Sequence, residues 1–174
     1  MERPTAEALY RSHHLTVFRF LRRLTGDTGL SEDIAQDVFV HAIHGLASYD
    51  ARERDLAWLF RIARRIVLDR ARSAVRRPIL VPPNDSDAAP VGPVQHLTVA
   101  LEEALGLLPD AEREAFLMRE QGGLSYDEIA SIVDASPAAV RNRIHRARCQ
   151  LRRVLRFTPD LEARSAARSI RDES

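Results

Sequence analysis

Residues 125–153 read SYDEIASIVDASPAAVRNRIHRARCQLRR, and this stretch decides the fold of the C-terminal half of the chain. Ser125 and Glu128 form the S-x-x-E pattern of a capping box, which opens a helix. Residues 134–136 make a short turn, and Pro137 suits the first position of the next helix. The stretch therefore predicts a helix-turn-helix.

The second helix of this pair has an apolar side and a basic side. Four apolar residues recur at 4, 3, 4 spacing and are expected to pack on the rest of the domain: Val140, Ile144, Ala147 and Leu151. Residues 137–156 carry seven arginines and no acid, which is typical of a helix that enters the major groove of DNA, although a solvated basic face is the alternative. The residues that we predict to contact DNA are Ser136, Arg141, Asn142, His145, Arg146 and Arg148.

Working outward, residues 78–96 separate this block from an N-terminal block. They hold five of the nine prolines and no arginine, and they lack helical or strand periodicity, so they read as a linker. Because a polar linker of 19 residues imposes little geometry, we expect the two blocks to move independently in the free protein. The prediction is an all-α protein of two small helical domains, residues 1–77 and 97–156, followed by a tail at 157–174. The C-terminal helices are expected at about 97–107, 110–121, 125–133 and 137–155.

The N-terminal block predicts three helices. Gly26 ends the first helix, and Ser31 is predicted to cap the second, which ends near His44. The third helix, from Asp55 to Arg77, is apolar on one side and basic on the other, a pattern that also fits a solvated or membrane-surface helix.

Two aromatic residues lie near the start of this third helix. Tyr49 lies in the polar turn that precedes it and is the candidate for stacking on a nucleic-acid base. Trp58 lies near the apolar stripe and is expected in the core.

Composition restricts the chemistry. The net charge of +1 does not indicate a polyanion partner. Residues 52–77, however, hold nine arginines against three acids, so that with residues 137–156 the chain has two separate basic segments.

The single cysteine, Cys149, excludes an internal disulfide, and His41 with His44 lacks the further ligands of a metal site. We find no nucleophile motif and no glycine-rich phosphate loop, so we expect no enzyme activity, no cofactor and no small-molecule substrate. The absence of a signal peptide and of an apolar run of ~20 residues predicts a cytoplasmic protein that does not insert in a membrane.

Three stretches resemble one protein family when they are taken together. They are SEDIAQDVFVHA (31–42), AWLFRIARRIVLDRAR (57–72) and LPDAEREAFLMREQGGLSYDEIASIVDASPAAVRNRIHRARCQLR (108–152). In this order, around a proline-rich linker, they resemble the extracytoplasmic-function (group four) sigma factors of bacterial RNA polymerase. The third stretch alone would indicate only a helix-turn-helix of the sigma or response-regulator kind.

The resemblance implies a division of roles along the chain. The helix matching residues 137–153 reads the minus-thirty-five promoter element, and the linker passes through the polymerase. The residues implied in polymerase binding are Asp33, Gln36, Asp37, Val38 and Phe39. Those implied in recognising and opening the minus-ten element, with capture of a flipped base, are Ser48, Tyr49, Asp50, Arg61, Arg64, Arg65 and Arg72. The family often has asparagine where this chain has Arg65. An anti-sigma factor is the further partner that the resemblance implies, beside core RNA polymerase and promoter DNA.

Two other interpretations remain open on the residues alone. A transcriptional regulator would bind an operator through the helix-turn-helix without polymerase, with a sensor or dimerisation domain at the N-terminus. A protein adaptor would use its arginine faces to bind acidic proteins and would show no sequence-selective DNA binding.

Overall fold

The computed structural model describes residues 4–50, 54–76 and 93–156, and every regular element in these ranges is helical. The N-terminal domain comprises α1 (Ala6–Thr25), α2 (Thr28–Gly45), a 3-10 turn (Leu46–Ser48) and α3 (Asp55–Arg76). The C-terminal domain comprises α4 (Pro93–Gly106), α5 (Asp110–Glu120), α6 (Tyr126–Val133) and α7 (Pro137–Arg156). The predicted all-α fold of two helical domains is confirmed, whereas the predicted tail lies outside the described residues.

Local capping signals account for several helix ends. Gly26 follows α1 in the left-handed conformation, with φ of 76°, and its N–H donates to the carbonyl of Arg22. At α6, the Ser125 hydroxyl accepts from the Glu128 N–H at 3.2 Å, and the Glu128 carboxylate accepts from the Ser125 N–H at 2.7 Å. The predicted capping box is therefore confirmed, as is the start of α7 at Pro137.

The predicted start of α2 was wrong. Asp27, rather than Ser31, caps this helix, because its carboxylate accepts from the Leu30 N–H at 2.8 Å. Ser31 lies one turn inside the helix and is fully buried, and its hydroxyl donates to the carbonyl of Asp27. A serine can therefore satisfy its hydroxyl inside a helix instead of capping it.

The linker also ends earlier than predicted. α4 begins at Pro93, so the last residues of the predicted 78–96 segment are helical. Proline is compatible with the first position of a helix because its missing N–H would have no partner there. Residues 78–92 of the predicted linker lie outside the described residues.

The two domains pack against each other, whereas their independent motion in the free protein stays a prediction. Phe60 of α3 is fully buried, and its ring lies so close to Gly122 that a β-carbon there would be 2.4 Å from Phe60 Cε2. Arg54 donates to the carbonyl of Gly123 at 2.9 Å, and Arg22 pairs with Glu102 at 2.9 Å. Linker composition gave no information about this complementarity between helix faces. We call this arrangement of the two domains the closed arrangement.

Candidate nucleic-acid interface

The turn between α6 and α7 fixes the direction of the recognition helix. Asp134 adopts the left-handed conformation after α6, with φ of 53°, and the Ser136 hydroxyl accepts from the Ala139 N–H at 3.1 Å at the start of α7. Val140 and Ile144 then lie in the core, at 0% and 1% exposure. The opposite side of α7 therefore faces solvent.

The residues predicted to contact DNA lie on this solvent side. Five are exposed, and Arg148 is partly exposed: Ser136, Arg141, Asn142, His145, Arg146 and Arg148. Arg141 also lies over the Tyr126 ring, with 5.3 Å between the guanidinium carbon and the ring centroid. His145 Nε2 lies 3.6 Å from Cys149 Sγ one turn along the helix. The structure therefore brings this predicted set together on one accessible face, which we call the basic face of α7.

Two arginines of the basic face are held by acids of α5. Arg146 Nε donates to Glu112 Oε1 at 2.6 Å, and Arg148 Nη2 donates to Glu120 Oε1 at 2.6 Å. The hydrogen bond that Arg148 donates to Glu120 raises the pKa of the Arg148 guanidinium above its ordinary value. Sequence reasoning missed both acids, because periodicity places them on α5 but does not reveal what they face across the domain.

The basic side of α3 is divided between solvent and the interface of the two domains. Arg61, Arg65 and Arg72 are exposed, and the latter two lie 3.9 and 3.5 Å from carboxylate oxygens of Asp69. Arg64 instead faces Glu114 of α5, with 3.0 Å between Nε and Oε1. Of the four α3 arginines predicted to bind the minus-ten element, the closed arrangement thus turns Arg64 towards the other domain.

Burial of Glu114 affects its ionisation. Its side chain is only 15% exposed, and this desolvation raises its pKa, although the charge of Arg64 acts in the opposite direction. The Arg64–Glu114 pair is therefore an interdomain contact in which an ionised acid is kept at a desolvation cost.

The turn before α3 places its predicted residues differently from one another. Ser48 and Asp50 are exposed, and the Ser48 hydroxyl donates to the carbonyl of Gly45 at 2.9 Å. Tyr49 is only 5% exposed, its hydroxyl donates to Asp55, and its ring packs edge-on against Trp58. Tyr49 is thus unavailable for stacking on a base in this conformation, contrary to the expectation drawn from its polar neighbours.

A cleft of about 260 Å³ lies between α2, the 3-10 turn and α3. Its walls include the partly exposed Trp58 and two predicted site residues, Ser48 and Arg65. Trp58 packs against the core with one side, as expected, and lines this cleft with another. The other lining residues are His41, Gly45, Ile62, Ile66 and Asp69.

The predicted polymerase-binding residues do not form one exposed surface. Asp33 and Gln36 are exposed, and Asp37 is half-buried and pairs with Arg70 of α3 at 2.5 Å. Val38 is fully buried, and Phe39 is 8% exposed with its ring edge against Tyr10. A partner can therefore touch Asp33, Gln36 and Asp37 directly, whereas Val38 supports the helix from inside.

Two further findings concern metal binding and membrane insertion. No group of three or more potential metal-ligating side chains occurs within residues 4–50, 54–76 and 93–156. Of the seven helices in these ranges, none is long and apolar enough to cross a membrane.

Sequence comparisons match both domains. Residues 9–77 match the profile described as Sigma-70 region 2, and residues 98–151 match the one described as Sigma-70, region 4. The chain is 33% identical over 171 residues to the ECF RNA polymerase sigma factor SigE of Mycolicibacterium smegmatis, covering 94% of this chain and 66% of SigE. It is 31% identical over 159 residues to the RNA polymerase sigma factor YlaC of Bacillus subtilis, covering 87% of this chain and 92% of YlaC.

Two solved structures share the fold. The sigma factor RpoE of Bartonella quintana, solved in complex with the anti-sigma factor NepR, superposes with a TM-score of 0.72 at 23% identity, covering 84% of this chain and 94% of RpoE. CnrH, solved in complex with the cytosolic domain of CnrY, superposes with a TM-score of 0.63 at 28% identity, covering 86% of each chain.

Proposed function

The chain belongs to the extracytoplasmic-function sigma factors of the sigma-70 family, and from this premise we propose that it binds core RNA polymerase and directs initiation at specific promoters. The observation that carries the proposal is that the chain contains sigma-70 region 2 followed by region 4, and that the basic face of α7 in region 4 is open to solvent. Members of this family are DNA-binding initiation factors rather than catalysts, so the bond chemistry belongs to the polymerase.

We assign the roles by domain. Residues 1–77 bind the polymerase and the minus-ten element, residues 78–92 connect the domains, and residues 93–156 bind the minus-thirty-five element. The exposure of Asp33 and Gln36 and the partial exposure of Asp37 support the first assignment. The assignment of the C-terminal domain to the minus-thirty-five element is supported by α7, which has seven arginines and no acidic residue.

Opening of the minus-ten element draws on α3 and the turn before it. The exposed arginines Arg61, Arg65 and Arg72 supply cations for the phosphates of a separated strand. The cleft between α2 and α3 offers Trp58 and Arg65 as its aromatic and cationic groups. Opening needs only binding energy directed at single-stranded bases, which fits a site without catalytic groups.

We propose that an anti-sigma factor controls the chain in the cytoplasm. The support is that RpoE, which shares this fold, was solved with the anti-sigma factor NepR bound. The closed arrangement already turns Arg64 towards Glu114. A partner that stabilised this arrangement would therefore keep Arg64 from DNA.

Footprinting on promoter fragments tests the proposal. Fragments that the reconstituted holoenzyme retains are probed with the chain alone, with core polymerase alone and with both together. We expect two separate protected blocks upstream of the start site only when both are present. Equal protection by the chain alone would favour an operator-binding regulator, and no selective protection at all would favour a protein adaptor.

A further inference from the structure

Glu112 is an acidic residue of α5 that lies outside every set of predicted site residues. Its side chain is 12% exposed, whereas that of its partner Arg146 is 61% exposed. The two are joined by a hydrogen bond of 2.6 Å from Arg146 Nε to Glu112 Oε1. A buried carboxylate of the supporting helix thus holds an exposed arginine of the basic face of α7.

The choice of nitrogen determines what Arg146 can still bind. The bond to Glu112 uses Nε, so it leaves the terminal pair, Nη1 and Nη2, for a second ligand. This pair matches the O6 and N7 acceptors of guanine in the major groove, which arginine contacts in bidentate fashion. Fixing the guanidinium through Nε also reduces the conformational freedom that Arg146 would otherwise lose on binding.

The neighbouring pair shows the contrast. Arg148 is bound to Glu120 through Nη2, which belongs to the terminal pair itself. Both side chains of this pair are 43% exposed, so Glu120 is also less restrained by burial than Glu112. Arg148 in this conformation suits a phosphate contact better than a bidentate contact with a base.

We propose that Glu112 is a positioning residue that orients Arg146 to recognise a guanine in the upstream promoter element. This inference rests on the proposed function, because it requires α7 to lie in the major groove of that element. Glu112 does not touch DNA itself, and it acts through the guanidinium of Arg146.

A purely structural role is the alternative. Glu112 lies in the first turn of α5, where a negative charge interacts favourably with the helix dipole. Such a role predicts that replacing Glu112 lowers stability and reduces affinity for all DNA sequences alike. A positioning role predicts instead that preference is lost at one base pair.

The test measures base preference with the full-length chain in holoenzyme. The preferred upstream element is first selected from randomised duplexes, and affinity is then measured for each single base-pair change. The variants are Glu112→Gln, Arg146→Ala, the double variant, and Glu120→Gln as a matched control that breaks the neighbouring ion pair. Melting temperatures are recorded for all of them, and Glu112→Met replaces Glu112→Gln if the latter does not fold.

We expect Arg146→Ala to reduce preference at one G·C pair roughly tenfold or more, since a bidentate arginine–guanine contact discriminates by about that factor. Glu112→Gln should reduce preference at the same base pair and at no other. The double variant should show the same loss as Arg146→Ala. Glu120→Gln should keep the preference at that base pair. Full preference in Glu112→Gln, or a uniform loss at all base pairs, would overturn the inference while leaving the proposed function intact. If the wild type selects no upstream element, the proposed function fails and the inference fails with it.

Discussion

Gly122→Ala is the substitution that tests the closed arrangement most sharply. A β-carbon at Gly122 would lie 2.4 Å from Phe60 Cε2, 2.6 Å from Leu124 Cδ1 and 2.7 Å from the backbone oxygen of Met118. The backbone oxygen cannot rotate away, and Phe60 is fully buried between the two domains. Overpacking of this kind costs about 1–3 kcal/mol. If the domains relieve the clash by separating, the closed arrangement loses roughly a 5- to 150-fold advantage over the open one.

Small-angle X-ray scattering and thermal unfolding provide the assay. Gly106→Ala is the matched control, because a β-carbon there meets nothing within 4 Å. We expect Gly122→Ala to melt at a lower temperature and to scatter as a more extended particle than Gly106→Ala.

A double-mutant cycle separates interdomain strain from local strain within the C-terminal domain. Phe60→Leu replaces the ring that faces Gly122 with a shorter side chain, so its effect should depend on Gly122→Ala, with a coupling of about 0.5–3 kcal/mol. Additive effects of the two substitutions, together with identical scattering of Gly122→Ala and Gly106→Ala, would refute the packing of Phe60 on Gly122.

Asp37→Arg reverses the charge at the predicted polymerase-binding surface, and we expect recovery of core polymerase in a pull-down to fall roughly tenfold. Glu32→Arg, at another exposed acid of α2, should leave recovery unchanged, and equal recovery by both variants would contradict the assignment. Ser125→Ala removes the cap of α6 and should lower the unfolding free energy at pH 7 by about 1 kcal/mol in calorimetry. Burial acts to raise the pKa of Glu128, but the Ser125 hydrogen bonds and the charge of Arg54 outweigh it and lower that pKa, so the cap stabilises above the ordinary value of 4.5. The gap in stability between wild type and Ser125→Ala should therefore narrow as the pH falls through the lowered pKa of Glu128, and a constant gap would contradict this. Burial raises the pKa of Glu114. Its contribution to the free energy of unfolding is therefore present below pH 4.5 and is lost as the pH rises through the raised pKa. The stability of wild type relative to Glu114→Gln should thus decrease from acid to neutral pH, and a flat difference in denaturant titrations would exclude the effect.

The helices could be predicted from the sequence because their signals are local. The capping box of Ser125 and Glu128 and the left-handed Gly26 depend on residues within one turn of the helix end. The apolar spacing around Val140 and Ile144 likewise predicted which side of α7 is buried. These signals placed most helix ends within a few residues, whereas the choice between Asp27 and Ser31 as the cap of α2 depended on which residue the core buries.

The packing of the two domains could not be predicted in the same way. It depends on a fit between Phe60 and Gly122, which lie 62 positions apart in the sequence, and on the pairing of Arg64 with Glu114. Periodicity shows that a helix has an apolar or a charged side, but it does not show which other helix that side meets. The sequence interpretations of the arginine-rich face of α3, as a DNA-binding, solvated or membrane-surface face, therefore did not include the contact that Arg64 makes with the other domain.

Burial explains the remaining differences at the site. Val38 lies four residues from both Ile34 and Ala42, a spacing that indicates a core position, whereas the resemblance implied a role in polymerase binding. Tyr49 lies among polar residues, and the sequence does not show that its hydroxyl reaches Asp55. The accessible positions of α7 needed no such information, because a single helix with one buried stripe leaves the opposite face to solvent.

Run-off transcription is the measurement that tests the central claim most directly. The purified chain is added to core RNA polymerase with fragments of the genome that encodes it, and the start sites of the transcripts are aligned. The account predicts transcripts that require the chain, with two conserved sequence blocks at fixed spacing upstream of their starts. If no chain-dependent transcripts form after any bound inhibitor has been removed, or if their starts share no upstream sequence, the chain does not act as a promoter-directing sigma factor.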